Sequence, residues 1–183
     1  MEVVPDQAQW GHDNPSQNAS CDEERKIWAI LGEVLDPEVP ALSVVDLGII
    51  RKIDINGDGH VTVNVTPTYT GCPATDLISA IIQAALHQGG YKDATIKLVL
   101  SPAWTTDWIS AQARVKLKEY GIAPPVGAAP QGKAVLLGIS PEVSCPRCDS
   151  KSTQRVSEFG STACKAMYRC VDCLEPFEYF KCI

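Results

Sequence analysis

The sequence is poor in histidine, with three in 183 residues, and its 16 basic side chains are outnumbered by 22 acidic ones. It contains no run of about 18 apolar residues, the length a membrane-spanning helix needs, so no membrane partner is expected. The net charge of −6 argues against a protein that grips phosphate backbones, because such binding draws its affinity from a basic surface. No nucleic-acid partner is expected either. The opening stretch MEVVPDQAQWGHDNPSQNAS lacks the basic start and continuous apolar core of a secretory signal, which makes a cytoplasmic location the expectation. The three histidines, His12, His60 and His87, fall in a polar tail, at a strand start and at a helix end, and none sits in a motif. A cysteine nucleophile would therefore lack an evident base.

What is present is apolar content of 45% and eight cysteines. The first value belongs to a globular protein. Clustered cysteines in a reducing compartment bind metal or do chemistry more often than they pair.

Residues 1–19 are polar and without period, and read as a tail. Ser20 followed by Glu23 fits a capping box, and Ile27, Ile30, Leu31, Val34 and Leu35 recur at helical spacing until Pro37. The segments IIRKIDI and HVTVNVT flank NGDG and predict a β-hairpin. Leu77, Ile78, Ile81, Ile82, Ala85 and Leu86 mark a second helix closed by Gly89 and Gly90, and ATIKLVL follows as a third strand. A third helix begins with Thr105 or Thr106 as cap and ends at Gly121. The fold class expected is α+β: an α-β-β-α-β-α two-layer domain over residues 20–122, a linker rich in Pro, Gly and Ala over 123–142, and a four-cysteine domain over 143–183.

Cys145 and Cys148 in CPRC and Cys170 and Cys173 in CVDC form two C-x2-C pairs 21 residues apart. Two such knuckles can present four thiolates in a tetrahedron, the geometry of a structural zinc ribbon, although the spacing alone admits iron as well. A segment of this size has too small a core to fold unaided, so metal binding would supply on the order of 10 kcal/mol of folding free energy. Cys164 and Cys182 lie outside this pattern and read as free thiols or as additional thiol ligands. The segment carries six basic and five acidic residues, no footprint for a nucleic acid, while Phe159, Tyr168, Phe177, Tyr179 and Phe180 suggest a protein-docking module.

Cys72 stands alone in TPTYTGCPATDLI. If Pro73 takes the first helical position, Cys72 lies at or beside the cap of the second helix, where unpaired N–H groups and the helix dipole favour a thiolate. An exposed or semi-exposed cysteine that handles a metal or a cluster is the expectation. Trp104 and Trp108 read as core anchors.

The strings LDPEVPALSVVDLGII and TPTYTGCPATDLI, with their DPE, VDLG and TGCP motifs, resemble the SufT-type metal-sulfur cluster assembly factors over about residues 25–120. The further features SPAWTTDWIS, KLKEYGIAPP, CPRC, SEFGSTACKAMYRC and EPFEYFKCI resemble the PaaD family of phenylacetate degradation across nearly the whole chain. That family is encoded with the multicomponent oxygenase that epoxidises the ring of phenylacetyl-CoA. The resemblance implies an accessory role, assembly or insertion of the iron-sulfur cluster of the reductase component, with oxygenase and reductase components as partners. It places a cluster-transfer site at Cys72 and Asp46. Thr68 and Thr70 beside Cys72 could donate to a bound sulfur or satisfy backbone groups before the helix. The resemblance also implies a structural zinc and a transient iron-sulfur cluster as cofactors. One thiolate alone is a poor cluster site, so a homodimer, a partner protein, or Cys164 and Cys182 would have to complete the ligand set. The alternative role is a non-catalytic docking component of the oxygenase.

Overall fold

The computed structural model describes residues 19–69, 71–127 and 141–182. Most of the expected tail and linker, and Thr70, lie outside the described residues. The chain divides into two compact units, Met1–Trp104 and Thr105–Ile183.

In the first unit, helix α1 (Asp22–Gly32) buries Ile27, Trp28 and Leu31, a spacing that puts one stripe of the helix on the core. The cap is Cys21 rather than Ser20. Ser20 sits one residue too early to reach the first helical N–H groups, and its own N–H and hydroxyl donate to Glu24 Oε2 at 2.7 and 2.9 Å. Strands β1 (Ile50–Ile55) and β2 (Val61–Val65) pair antiparallel across the Asn56–Gly59 turn, with Ile53 opposite Val63. Helix α2 (Thr75–Gln88) then carries the chain back so that β3 (Thr95–Leu98) joins β2 in parallel. Parallel neighbours need such a crossover, which explains why a 14-residue helix separates two adjacent strands.

The strand order is β1-β2-β3. Val61, Val63 and Val65 alternate inward at 2% exposure or less, together with Ile82 and Leu86 of α2 and Ile27 and Leu31 of α1. Each such burial contributes about 1.5–3 kcal/mol. Gly90 holds φ +99°, the left-handed conformation in which glycine ends a helix without strain.

In the second unit, Thr105 caps only a 3-10 turn, Thr106–Trp108. The third helix, α3 (Ala111–Tyr120), is capped by Ser110, whose Oγ accepts from Ala113 N at 3.0 Å. The cap therefore lies five residues beyond Thr105, because the turn intervenes. Gly121 ends α3 at φ +98°, as its position predicts. Strands β4 (Ile122–Ala123), β5 (Thr153–Ser157), β6 (Lys165–Cys170) and β7 (Pro176–Phe180) form a sheet in the order β4-β7-β6-β5. Ile122 and Ala123 pair with Glu178 and Tyr179, so the boundary expected at 122/123 falls inside a strand of the ribbon sheet, and α3 groups with that sheet.

The expected aromatic docking surface is mostly core. Tyr168, Phe177, Tyr179 and Phe180 are 5% exposed or less, and Tyr168 stacks on Phe177 and meets Tyr179 edge-on. Of the five aromatics named, Phe159 alone is exposed.

Candidate functional site

The ribbon holds a preformed four-thiol site. The sulfurs of Cys145, Cys148, Cys170 and Cys173 all lie within 4.8 Å of one another. Cys145 Sγ to Cys173 Sγ is 3.7 Å and Cys148 Sγ to Cys170 Sγ is 3.6 Å. A tetrahedral zinc with bonds of about 2.3 Å separates its sulfurs by roughly 3.8 Å, so the four residues fit the ion closely.

The two knuckles share backbone features, among them the bonds from Cys145 N to the Ser150 carbonyl and from Cys170 N to the Glu175 carbonyl. Cys148 is followed by Asp149 at φ +60°, and Cys173 by Leu174 at φ +66°, so each turn passes through a left-handed residue directly after its second cysteine. The Cys173 N–H donates to Cys170 Sγ at 3.5 Å. Such backbone donors, that of Cys173 first, pull the Cys170 thiol down to about 7, while the neighbouring thiols push those of Cys148 and Cys173 up, so without an ion among them one thiol of the set ionises before the others. Cys145 and Cys170 are fully buried, whereas Cys148 and Cys173 are exposed.

Cys164 and Cys182 stand apart from this tetrad. The Cys164 thiol is buried against Thr162 Oγ1 at 3.0 Å. Cys182 Sγ lies 3.3 Å from Tyr179 Oη and 3.4 Å from the Val126 carbonyl, tying this end of the ribbon to the segment after β4. The same sheet carries an ion pair, Lys165 Nζ to Glu178 Oε2 at 2.8 Å, in which Lys165 is 3% exposed. Burial alone would raise the Glu178 carboxyl, but Lys165 and the Ser161 N–H together hold it below its ordinary value.

Cys72 occupies the first unit. Ile50 and Val65 are register partners, so the loop that enters β1 and the loop that leaves β2 issue from one end of the sheet. The entering loop carries Asp46, and the leaving loop carries Thr68 and Cys72. Asp46 and Ser43 bond reciprocally, Ser43 N to Asp46 Oδ2 at 3.1 Å and Asp46 N to Ser43 Oγ at 3.0 Å, which fixes the VDLG turn. Trp104 braces the same turn: its indole, 4% exposed, donates to the Leu47 carbonyl at 2.9 Å. Upstream, Asp36 of the DPE motif accepts from the Glu38 and Val39 N–H groups at 2.9 and 2.8 Å.

Cys72 lies two residues before the α2 cap, which is Ala74 rather than Cys72, and Pro73 precedes the helix instead of opening it. The reason is a turn in which Cys72 N bonds the Tyr69 carbonyl and Thr75 N bonds the Cys72 carbonyl. The thiol residue is 8% exposed, so the exposed cysteine expected from the motif is instead covered. Gly71 beside it is exposed, at φ +85°.

Two polar features here have no sequence signal strong enough to find them. Arg51 is 5% exposed and donates to the Gly48 carbonyl at 3.3 Å, and burial lowers its guanidinium to about 10. Thr66 is 2% exposed at the start of the cysteine loop, and its hydroxyl has no hydrogen-bond partner among the described residues. An arginine inside a strand of alternating pattern reads as solvent-facing, and a threonine next to a proline reads as loop.

Comparison with known proteins places both regions. Residues 24–98 match the family described as iron-sulfur cluster assembly protein, and residues 129–181 match the PaaD zinc beta ribbon domain. The chain is 49% identical over 158 residues to a putative 1,2-phenylacetyl-CoA epoxidase subunit of Escherichia coli (strain K12), covering 86% of this chain and 92% of that one. It is 37% identical over 101 residues to an Fe-S protein maturation auxiliary factor of Porphyromonas gingivalis, covering 55% of this chain and 95% of that one. Among solved structures, a domain of unknown function, DUF59, from Bacillus anthracis is similar at 24% identity and a TM-score of 0.48, covering 51% of this chain and 89% of that one. With a cluster-assembly domain followed by a four-cysteine ribbon, and near-complete coverage of a relative at 49% identity, the chain belongs to the PaaD family.

Proposed function

We propose that the protein is an accessory factor of a phenylacetyl-CoA ring-epoxidase system, and that it helps assemble or insert the iron-sulfur cluster of the reductase component through Cys72. The observation that carries this reading is the separation of the thiols. Four cysteines form a closed set matched to one structural ion, while Cys72 sits in the cluster-assembly domain, in a loop at the sheet end it shares with Asp46. A closed four-thiolate cage releases cargo slowly, whereas a single thiolate binds weakly and can pass cargo on.

The cluster is cargo rather than a resident group. In this reading the Cys72 loop must open to expose the thiol, and Gly71, already in the left-handed region, supplies the backbone freedom. Asp46 and Thr68 shape the loop pair, Thr70 joins them as a donor to sulfur, and a recipient protein contributes the remaining ligands. The ribbon holds zinc, whose role is to fold that unit.

The test is to produce the reductase with the wild-type protein, with Cys72→Ala, or with neither. The reading expects iron and acid-labile sulfide in the reductase to fall with Cys72→Ala to the level seen without the factor. Full cluster content with Cys72→Ala contradicts it.

A second reading, a non-catalytic docking component of the oxygenase, draws support from β5, an edge strand among the described residues, where Val156 is 65% exposed, and from Phe159 just after it at 61%. That role predicts stoichiometric co-purification with the oxygenase that Cys72→Ala leaves intact and Val156→Lys disrupts.

A further inference from the structure

Helix α2 is unusual among the described helices for what its outer surface lacks. Over 14 residues its ionisable groups are Asp76 in the first turn and His87 in the last, whereas α1 carries Asp22, Glu23, Glu24, Arg25 and Lys26. The core takes Ile78, Ile82 and Leu86. That leaves Leu77, Ala80, Ile81 and Ala84, spaced i, i+3, i+4, i+7, as a second apolar stripe turned away from the buried row. Leu77 is 52% exposed, Ala80 and Ala84 are exposed, and Ile81 is half-buried. A helix with one buried face normally shows polar residues on the other.

We propose that this stripe is the contact through which two copies of the chain associate, their α2 helices antiparallel about a twofold axis centred between Ala80 and Ile81. The stripe is complementary to itself about that point. Leu77 and Ala84 lie within about 20° of each other at mid-stripe, so Leu77 falls opposite the partner subunit's Ala84 and a large side chain meets a small one. Ala80 and Ile81 lie on opposite flanks, so at the axis Ile81 meets the partner subunit's Ile81 and Ala80 meets the partner subunit's Ala80. Small residues at these positions let the helices approach to the close end of the usual 8–10 Å range.

Charge fits the same arrangement. Asp76 and His87 lie within about 20° of each other around the helix, on one flank of the stripe, at 100° per residue. Antiparallel pairing brings Asp76 near the partner subunit's His87 twice over, and it opposes the helix dipoles favourably. A single pair of four-turn helices covers less than the ~1,200 Å² of a stable interface, so the association is weak and reversible. The two helix starts stand roughly 16 Å apart along the axis, at 1.5 Å per residue. Each Cys72 loop therefore remains at its own end of the pair, and the second copy does not complete a shared ligand set.

The test is sedimentation equilibrium of the full zinc-loaded chain from about 5 to 500 µM, a range that brackets micromolar affinity. The wild type is expected to show a monomer-dimer equilibrium. Ala80→Arg and Leu77→Glu are each expected to raise the dissociation constant at least tenfold, with circular dichroism unchanged. Asp76→Lys should weaken the dimer several-fold, and adding His87→Glu should restore it. A wild type that stays monomeric throughout overturns the proposal, as does a dimer that both stripe variants leave intact. A monomeric wild type whose maturation activity is nonetheless lost in Ala80→Arg would also overturn it, and would assign the stripe to a different protein.

Discussion

The two units hold themselves together by different means. The first has a sheet backed by two helices and a continuous set of fully buried residues, among them Ile27, Leu31, Val63, Ile82 and Leu86. The second has a smaller cluster around Val143, Ala166, Tyr168, Phe177 and Tyr179, and two of the cluster's members, Cys145 and Cys170, belong to the thiol tetrad itself. In the ribbon the metal site and the core are one structure. In the first unit Cys72 lies in a loop outside the sheet and helices, and Cys21 is exposed at the start of α1. A cysteine that a fold depends on cannot easily release what it binds; a cysteine that a fold does not depend on can.

The strongest way to break this contrast is to remove the metal. Chelation, or Cys170→Ser, should cost the ribbon on the order of 10 kcal/mol and unfold it, while hydrogen exchange in β2 and α2 stays slow. Loss of protection in both units together would mean that the first unit is not self-supporting.

A smaller effect is expected at the buried ion pair. Lys165→Ala leaves Glu178 without its cation and should destabilise the ribbon by about 3 kcal/mol, measured by denaturant unfolding of the zinc-loaded chain. Glu178 is held below its ordinary value of 4.5, so its contribution is complete above that pH and fades as the pH falls through the lower folded value. An NMR titration of the Glu178 carboxyl should find its midpoint below 4.5 in the wild type and higher in Lys165→Ala.

In the first unit, Ile82→Ala should cost about 2–4 kcal/mol without changing zinc stoichiometry, since Ile82 is fully buried and the tetrad lies in the other unit. Metal analysis alongside thermal melting checks both halves of that statement. The smallest change should be a gain: Leu174→Gly relieves a left-handed residue that is 58% exposed, and should stabilise the ribbon by about 1 kcal/mol.

Much of this is readable from the residues because local chemistry dictates it. The alternation of Val61, Val63 and Val65, the glycines at 89, 90 and 121, and the paired C-x2-C knuckles each admit few structures. Helix starts are less legible. Ser20, Cys72 and Thr105 each have a side chain or position suited to capping, but which residue caps depends on where the preceding turn delivers the chain. The burial of Cys72 is illegible for the same reason, since the turn it sits in is held by backbone groups that any sequence possesses. The inward aromatics of the ribbon escape a sequence reading because composition cannot tell a small core from a docking face. Pairing of β4 with β7 joins residues more than 50 apart, and two residues of strand carry no periodic signal.

The measurement that bears most directly on the division of labour between the thiols is metal and sulfide analysis of the anaerobically purified full chain and its Cys72→Ala variant, before and after cluster reconstitution. The account predicts about one zinc per chain in both, and, in the wild type only, iron with acid-labile sulfide well below one cluster per chain, because one thiolate holds it weakly. Equal iron and sulfide in the two proteins, or none in either, would contradict it.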